Sequence, residues 1–249
     1  MRAGATEAPP WTKRGDDNPA VADLGRTLVL APHPDDETIG CGGLLALLGQ
    51  AGVAVQVVVL TDGTASHRHS REYPAARLRQ VRHREVKAAL RALGHGAPCL
   101  VSLGLPDGGL PLLGEAGFEA VISRLAEIAH RFGPHTVLMP MRDDEHPDHR
   151  ATFAAGLAAC LLAAPHARRF EYQVWGGSDA KRRVWHLDIS DVLDAKRRAL
   201  THHQSQLGQV VHDDPQGFIL PPELLARCML PVEDYYFSDG GPCPENEKQ

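Results

Sequence analysis

The chain has 249 residues, of which 43% are hydrophobic, so it can bury a sizeable core as one large domain or two small ones. Its 26 Lys and Arg residues against 31 Asp and Glu residues give a formal net charge of -5. That balance gives no reason to expect nucleic acid or an acidic membrane surface as a partner, and the unusual component is histidine, with 14 copies.

Residues 1–24 are predicted to be a loose N-terminal tail. The stretch carries charges and prolines and has no apolar core of the kind found in signal peptides. The five cysteines are scattered and never spaced as CxxC, which argues against a disulfide framework or a Cys-based zinc site. The longest apolar segment, residues 151–167, is short for a membrane span. We therefore expect a cytoplasmic protein with no membrane span.

Short β-branched runs alternate with helical patterns from Thr27 onward. In chain order the predicted elements are the strand TLVLA, a helix from about Thr38 to Ala51, the strand VAVQVVVLTDG, the amphipathic helix AARLRQVRHREVKAALRALG, the strand PCLVSLGLPDGG, a helix near Glu115 to Phe132, the strand HTVLMPM and an Ala-rich helix after His149. Such alternation predicts an α/β fold with a mainly parallel sheet sandwiched by helices.

The last third of the chain is less regular. After Phe170 the pattern predicts the strands FEYQVWG and RRVWHLDIS, then the helix DVLDAKRRALTHHQSQ with Asp191 as its N-cap. Beyond about residue 207 the periodicity is poor and indicates no role for the segment. Because there is no internal repeat or convincing linker, we expect residues 25–249 to form a single domain.

Two polar clusters follow predicted strands. The segment LAPHPDDETIGCGG follows the first strand, and MRDDEHPDHRA follows HTVLMP. Loops that leave the carboxyl ends of parallel strands meet in the ligand crevice of an open α/β sheet. Each cluster alone is also compatible with a proline-pinned turn in which acidic residues face a helix N-terminus. The occurrence of both, each after a strand, favours a shared metal site.

The ligand types in these clusters suit a catalytic zinc ion. His33 and Asp36 are three residues apart in a loop that Pro34 stiffens, and His149 lies in the second cluster. Two imidazoles and one carboxylate leave a coordination position open, as catalytic zinc sites do. The same set also suits Fe²⁺, Mn²⁺ or Co²⁺. Asp36, as a ligand, cannot also be a free base, whereas Asp35 can reach a water at the metal.

The sequence resembles the PIG-L/LmbE-like family of zinc-dependent deacetylases, which act on N-acetylglucosamine-containing compounds and related amides. PHPDDE and HPDH carry the resemblance, and VVVLTDG, RHREVKAALRALG, LGLPDGG and KRRALTHHQSQ extend it over most of residues 27–206. It implies a Rossmann-like fold with zinc on His33, Asp36 and His149 and with Asp35 as general base.

Roles for the second cluster follow from the same resemblance. It implies that His146 steadies the tetrahedral intermediate and protonates the leaving amine. Asp148, between His146 and His149, is placed in the catalytic set because it can hydrogen-bond one of those two histidines and fix its tautomer.

Three further residues are predicted to bind substrate. Arg82 and Asp107 resemble the substrate-contacting Arg and Asp of the family, although Arg82 on a basic helix is also compatible with a solvated surface and Asp107 with a Pro-Asp-Gly turn. Arg68 lies in ASHRHSREYP, a loop suited to an anionic or hydroxyl-rich substrate or else a mobile surface segment.

The leading interpretation is therefore a hydrolase that removes an acetyl or acyl group from a small amino-sugar or amide substrate. Two other functions are compatible with the same residues. A non-haem Fe²⁺ oxygenase also employs two histidines and one carboxylate, but a neighbouring aspartate base suits hydrolysis better. A metal-binding module without catalysis would be expected to lack Asp35 or His146, and both are present. A homo-oligomer is compatible with the sequence.

Overall fold

The computed structural model describes residues 21–176 and 182–238. The strands are β1 (Thr27–Ala31), β2 (Val55–Thr61), β3 (Leu100–Leu105), β4 (Thr136–Pro140), β5 (Arg168–Tyr172), β6 (Val184–Asp188) and β7 (Val232–Phe237). The helices are α1 (Asp36–Gln50), α2 (Ala75–Ala92), α3 (Phe118–Phe132), α4 (Pro147–Ala163), α5 (Leu193–Leu200) and α6 (Pro222–Cys228). Short 3₁₀ turns occur at Thr64–His67, Ala97–Cys99, Ser190–Val192 and Gln204–Leu207.

All seven strands form one sheet in the order β3-β2-β1-β4-β5-β7-β6. Strands β1 to β5 are parallel, and β7 pairs antiparallel with both β5 and β6. The predicted α/β class and mainly parallel sheet are thereby confirmed. The chain runs from β1 outward to β2 and β3, then returns to β4 on the other side of β1. The crevice at such a reversal is where open α/β sheets bind ligands.

Each face of the sheet has its own apolar core. One core packs α1, α2 and α5 against the sheet and includes Leu44, Leu48 and Val57. The other packs α3 and α4 against the opposite face and includes Leu60 and Leu125. Strands β1 and β4 are buried along their whole length, which explains their continuous hydrophobic runs.

Helix α1 packs closely on its neighbours because of its glycines. A Cβ added to Gly40 would lie 2.2 Å from the Tyr172 ring, and one added to Gly43 would lie 2.5 Å from Ile189. At Gly43 the backbone amide donates a 2.7 Å hydrogen bond to the Glu233 carboxylate of β7, which also accepts from Lys196. This close approach fixes the position of α1. It therefore also fixes the position of the polar loop that joins β1 to α1.

Several local predictions differ from the structure. Asp191 is not the N-cap of α5, because the preceding 3₁₀ turn places Val192 there. Val21 and Leu24 are buried in the core, so the folded part starts earlier than residue 25; residues 1–20 of the predicted tail lie outside the described residues. The poorly periodic segment beyond residue 207 contains α6 and β7, and β7 inserts between the two predicted strands.

The described cysteines, Cys41, Cys99, Cys160 and Cys228, are free thiols. Cys243 lies outside the described residues. Among the helices that the structure describes, none combines the length and apolarity needed to cross a bilayer.

Candidate metal and catalytic site

The two polar clusters meet at the carboxyl edge of the sheet, where the strand order reverses. His33 and Asp36 follow β1, with Asp36 as the first residue of α1. His146 is the N-cap of α4, and His149 lies in the first turn of that helix. Because β1 and β4 are neighbours, the two loops converge although more than 100 residues separate them. The expected meeting of the clusters at one sheet edge is confirmed.

Three ligand-type atoms form a small triangle at this edge. His33 Nδ1 lies 3.1 Å from Asp36 Oδ2 and 3.3 Å from His149 Nε2, and His149 Nε2 lies 3.2 Å from the same Asp36 oxygen. A tetrahedral zinc ion with bonds of about 2.0–2.1 Å holds its ligand atoms about 3.3 Å apart. The three predicted ligands therefore fit one metal ion.

Two other groups of nearby residues also have metal-binding spacing. Ligand atoms of His33, His146 and His149 lie within 4.8 Å of one another, and so do those of His33, Asp107 and Asp148. Both groups share His33 with the triangle that includes Asp36. In that triangle all three separations between ligand atoms lie between 3.1 and 3.3 Å, close to the spacing that one zinc ion requires, so we treat it as the candidate metal site.

Carboxylates stand behind both imidazoles. His33 Nε2 lies 3.1 Å from Asp148 Oδ2 and 3.3 Å from Asp107 Oδ1, which leaves Nδ1 for the metal. His149 Nδ1 lies 3.2 Å from Asp144 Oδ2, which leaves Nε2 for the metal. Carboxylates in these positions fix the tautomer and orientation of ligating histidines. Asp148 was predicted to hydrogen-bond one of its two flanking histidines, but its carboxylate contacts His33 and the amides of Gly108 and Leu110 instead. Asp144 was not singled out.

The charges around the triangle favour a cation. Burial works against charge on Asp36, but the neighbouring imidazoles of His149 and His33 outweigh it and hold the pKa of Asp36 far below its usual range. Burial likewise lowers the pKa of His149, but Asp36 and Asp144 outweigh it and raise that pKa to about 9. The carboxylates around the triangle thus stabilise positive charge on the neighbouring imidazoles. A metal ion bound in the triangle supplies positive charge at the same place.

Asp35 lies beside the triangle without belonging to it. Its carboxylate pairs with Arg82, whose Nη2 is 3.1 Å from Asp35 Oδ2. Burial raises the pKa of Asp35 to about 6, against the lowering effect of the Arg82 charge. A carboxylate with that pKa takes up and releases protons near neutral pH, as a general base must.

Arg82 is 3% exposed, which rules out the solvated-surface interpretation of this residue. Besides the ion pair with Asp35, its guanidinium donates to the carbonyl oxygens of Gly63 and Pro34 at 3.0 and 2.9 Å. The buried Nε atom has no hydrogen-bond partner among the described residues. Arg82 thus fastens the loop after β2 to the metal loop while it lines the cavity.

His146 faces the same space from the start of α4. Its ring centroid is 4.6 Å from that of His33 and 5.2 Å from that of His149. Its Nδ1 accepts a 3.2 Å hydrogen bond from the backbone amide of Asp148, so the neutral ring carries its proton on Nε2. Burial and the nearby imidazole charges lower the pKa of His146, which works against a protonated ring before reaction.

A cavity of about 260 Å³ opens over these residues. Asp107 lines it and accepts a hydrogen bond from the Ala65 amide at 2.8 Å; Arg68 lies at its exposed edge near Gly108. All three predicted substrate-binding residues therefore border one cavity. The lining also includes Ile39, Trp175, Gln206, Phe218 and Leu220. Sequence reasoning missed the last four: Gln206 ends the segment KRRALTHHQSQ but was not singled out, and no motif marks the other three.

Behind Asp35, His203 is fully buried, 3.1 Å from the Thr38 hydroxyl and 3.5 Å from Glu37. It lies outside the metal triangle and contacts the first turn of α1.

Comparison with known proteins agrees with this geometry. Residues 28–160 match the model of the PIG-L family, described as GlcNAc-PI de-N-acetylase. The chain is 30% identical to a diacetylchitobiose deacetylase of Thermococcus kodakarensis over 78% of this chain and 74% of the relative. It is 28% identical to a 2'-N-acetylparomamine deacetylase of Streptomyces fradiae over 80% of each chain.

A solved structure shares the fold. The N,N'-diacetylchitobiose deacetylase of Pyrococcus horikoshii, in complex with its inhibitor MPG, superimposes with a TM-score of 0.68 at 23% identity and covers 86% of this chain and 83% of its own. The family match spans both β1 and the start of α4, and so includes every residue of the metal triangle. The chain therefore belongs to the PIG-L family.

Proposed function

We propose that this protein is a metal-dependent N-deacetylase that hydrolyses the amide of an N-acetylglucosamine-type or related small substrate. The observation that carries the proposal is the buried carboxylate of Asp35 beside a metal triangle, at the base of a cavity large enough for one sugar ring. The named activities of its relatives are of the same class.

We assign the metal to His33, Asp36 and His149 and propose zinc, with Fe²⁺, Mn²⁺ and Co²⁺ as alternatives. Nitrogen and carboxylate ligands with about 3.3 Å spacing support zinc. When bound, the metal supplies Lewis-acid chemistry, because it polarises the amide carbonyl and makes water in the site more acidic.

Asp35 is the proposed general base. Its carboxylate is held by Arg82 and is not part of the triangle, so it remains free to accept a proton from the attacking water. Asp36 cannot fill that role, because its charge is committed to His33 and His149.

His146 is the proposed partner for the departing amine. Its Nε2 carries the proton of the neutral ring, which suits hydrogen bonding to the oxyanion. Delivery of a proton to the amine requires the imidazolium form, which becomes the neutral ring when the proton leaves. Asp148 supports this arrangement from two sides, because its backbone amide orients His146 and its carboxylate contacts His33.

Substrate contacts are assigned to Asp107, Arg82 and Arg68, which border the cavity. The buried Arg82 offers one unpartnered Nε, and it also holds the base in place. The exposed Arg68 is suited to the part of a substrate that projects from the cavity.

The alternative functions are less well supported. An oxygenase would not need a free carboxylate base beside its metal, and a mere metal-binding module would not need the cavity or His146. We retain the cytoplasm as the proposed compartment, since the scattered cysteines suit a reducing environment.

The adjacent aspartates provide the test. Asp35→Asn should keep the metal but lose about 10²–10⁴-fold in amine release from an N-acetylglucosaminide, because only the base is removed. Asp36→Asn should lose both metal and turnover. Acetate and amine should appear in equal amounts without oxygen uptake. Near-normal turnover by Asp35→Asn would exclude it as the base, and oxygen-dependent turnover would exclude hydrolysis.

A further inference from the structure

The catalytic cavity is only partly polar. Besides the metal-site residues and Arg68, its lining includes four apolar side chains, Ile39, Trp175, Phe218 and Leu220. We call the half-buried Trp175 and the exposed Phe218 the aromatic wall. Their ring centroids are 5.7 Å apart with an interplanar angle of 73°, an edge-to-face contact. This geometry is the favourable one for two aromatic rings and keeps them in fixed relative positions.

Phe218 lies on a loop, yet the loop is fastened to the segment after β2. The Phe218 amide donates to the Ser66 carbonyl at 2.6 Å. Further along, the Asp213 carboxylate accepts from the Ser70 hydroxyl at 2.6 Å, and the Asp214 carboxylate accepts from the His69 amide at 3.0 Å. These contacts hold Phe218 at the cavity although it belongs to no helix or strand.

Trp175 is fixed from the metal side. Its backbone amide lies 3.3 Å from the Asp144 carboxylate, the group that stands behind His149. The aromatic wall is therefore anchored to the metal site on one side and to the loop after β2 on the other. A preformed aromatic surface of this kind binds ligands at low entropic cost.

The wall leaves apolar surface uncovered at the mouth of the cavity. Phe218 is 37% exposed, and the cavity itself measures about 260 Å³. That is below the range of about 300–1,000 Å³ typical of sites that enclose drug-sized ligands. That volume suits a single acylated sugar ring, so a larger substituent on the ring extends to the mouth, which the aromatic wall and Arg68 border.

From this we infer that the aromatic wall is a subsite for an apolar, preferably aromatic, substituent carried by the acylamino sugar. The inference rests on the proposed deacetylase function and narrows its substrate class. An anionic substituent would instead be recognised by Arg68, which lies at the exposed edge of the same cavity near Gly108. The uncovered ring area of Phe218 favours the apolar group.

The test compares N-acetylglucosaminides that differ only in the aglycone: methyl, benzyl and carboxymethyl. The wild-type enzyme should prefer benzyl to methyl by about tenfold in kcat/KM, equivalent to about 1.4 kcal/mol, and mainly through KM. Phe218→Ser should bring the benzyl-to-methyl ratio close to one, and Phe218→Tyr should preserve it. Ile219→Ser is the matched control, because Ile219 is an exposed apolar neighbour outside the cavity lining.

A binding measurement separates this inference from the proposed function. Calorimetry with the deacetylated products, benzyl and methyl glucosaminide, needs no turnover. A benzyl preference that Phe218→Ser abolishes would support the subsite even if no N-acetyl sugar were hydrolysed, in which case the proposed function alone would fail. Equal affinities, a preference that survives Phe218→Ser, or a carboxymethyl preference that Arg68→Gln removes would overturn the inference.

Discussion

His149 has a different carboxylate on each side of its ring. Nε2 lies 3.2 Å from Asp36, and Nδ1 lies 3.2 Å from Asp144, which is fully buried. A carboxylate behind a ligating imidazole orients the ring and increases its basicity. Asp144 should therefore act on the metal through His149, without touching it.

Asp143 and Asp144 provide a matched pair for this idea. Asp144→Asn should weaken metal binding by about 10–100-fold, because the support of the ligand is lost. Asp143→Asn should leave affinity unchanged, since Asp143 is exposed. Competition with a chromophoric chelator measures both. Equal affinities for the two variants would remove Asp144 from the metal site.

His146 is expected to help the amine depart. His146→Ala should reduce turnover of an acetamido sugar, whose amine leaves poorly, more than turnover of an acetanilide with an activated amine, because only the former needs a proton at nitrogen. Metal content should stay the same. Equal losses on both substrates would leave His146 with only a contact to the oxyanion.

The sequence predicted the residues of the metal triangle and singled out Asp107 and Asp148, but it did not predict their contacts with His33 or the role of Asp144. His33, Asp36 and His149 stand in distinctive motifs, and their side chains converge as expected. Asp144 cannot be told from Asp143 in the sequence, because burial decides between them. The ion pair of Arg82 with Asp35 could not be predicted from the sequence either, because it depends on how α2 packs against the loop after β1.

Among the elements, β5 contains a fully buried carboxylate, Glu171. Two guanidinium groups bind it: Arg142 Nε at 3.0 Å and Arg182 Nη1 at 3.0 Å. Burial raises the pKa of Glu171, but these hydrogen bonds outweigh it and hold the pKa below its ordinary value of 4.5. The ionised form is thus stabilised in the folded protein relative to the unfolded chain.

This shift predicts a stability that depends on pH. A pKa that is lower in the folded state contributes stability above the unfolded value and loses it as pH falls. Glu171→Gln should reduce the free energy of unfolding by about 2 kcal/mol at pH 7, and the difference from wild type should shrink below about pH 4.5. Urea unfolding at several pH values measures it. Glu127→Gln, at an exposed ion pair, should change stability by less than about 1 kcal/mol. A Glu171→Gln effect that is constant with pH would contradict the account.

Local patterns predicted most elements but not the antiparallel end of the sheet. Strands β1, β2 and β4 are buried on both faces, so continuous hydrophobic runs mark them. Strand β7 mixes buried and exposed positions and pairs with β5 some 60 residues earlier in the chain. Its insertion between β5 and β6 depends on long-range pairing, which local periodicity does not encode.

For the molecule as a whole, the parallel α/β sheet explains why two distant motifs form one site. The reversal of strand order at β1 and β4 brings their following loops together. The fold class was predictable for the same reason, since alternating elements favour this topology. The apolar part of the cavity was not, because Phe218 reaches it on a loop without a periodic signal and Trp175 lies beyond the observed end of β5, although the predicted strand FEYQVWG includes it.

The central claim is that one metal ion is bound by His33, Asp36 and His149. Metal analysis of the purified, zinc-reconstituted protein tests it most directly, with His149→Ala compared with wild type and with His130→Ala, which removes an exposed histidine from α3. The account predicts one tightly bound zinc ion per chain in wild type and in His130→Ala, and a large loss in His149→Ala. Undiminished, tightly bound zinc in His149→Ala would contradict it.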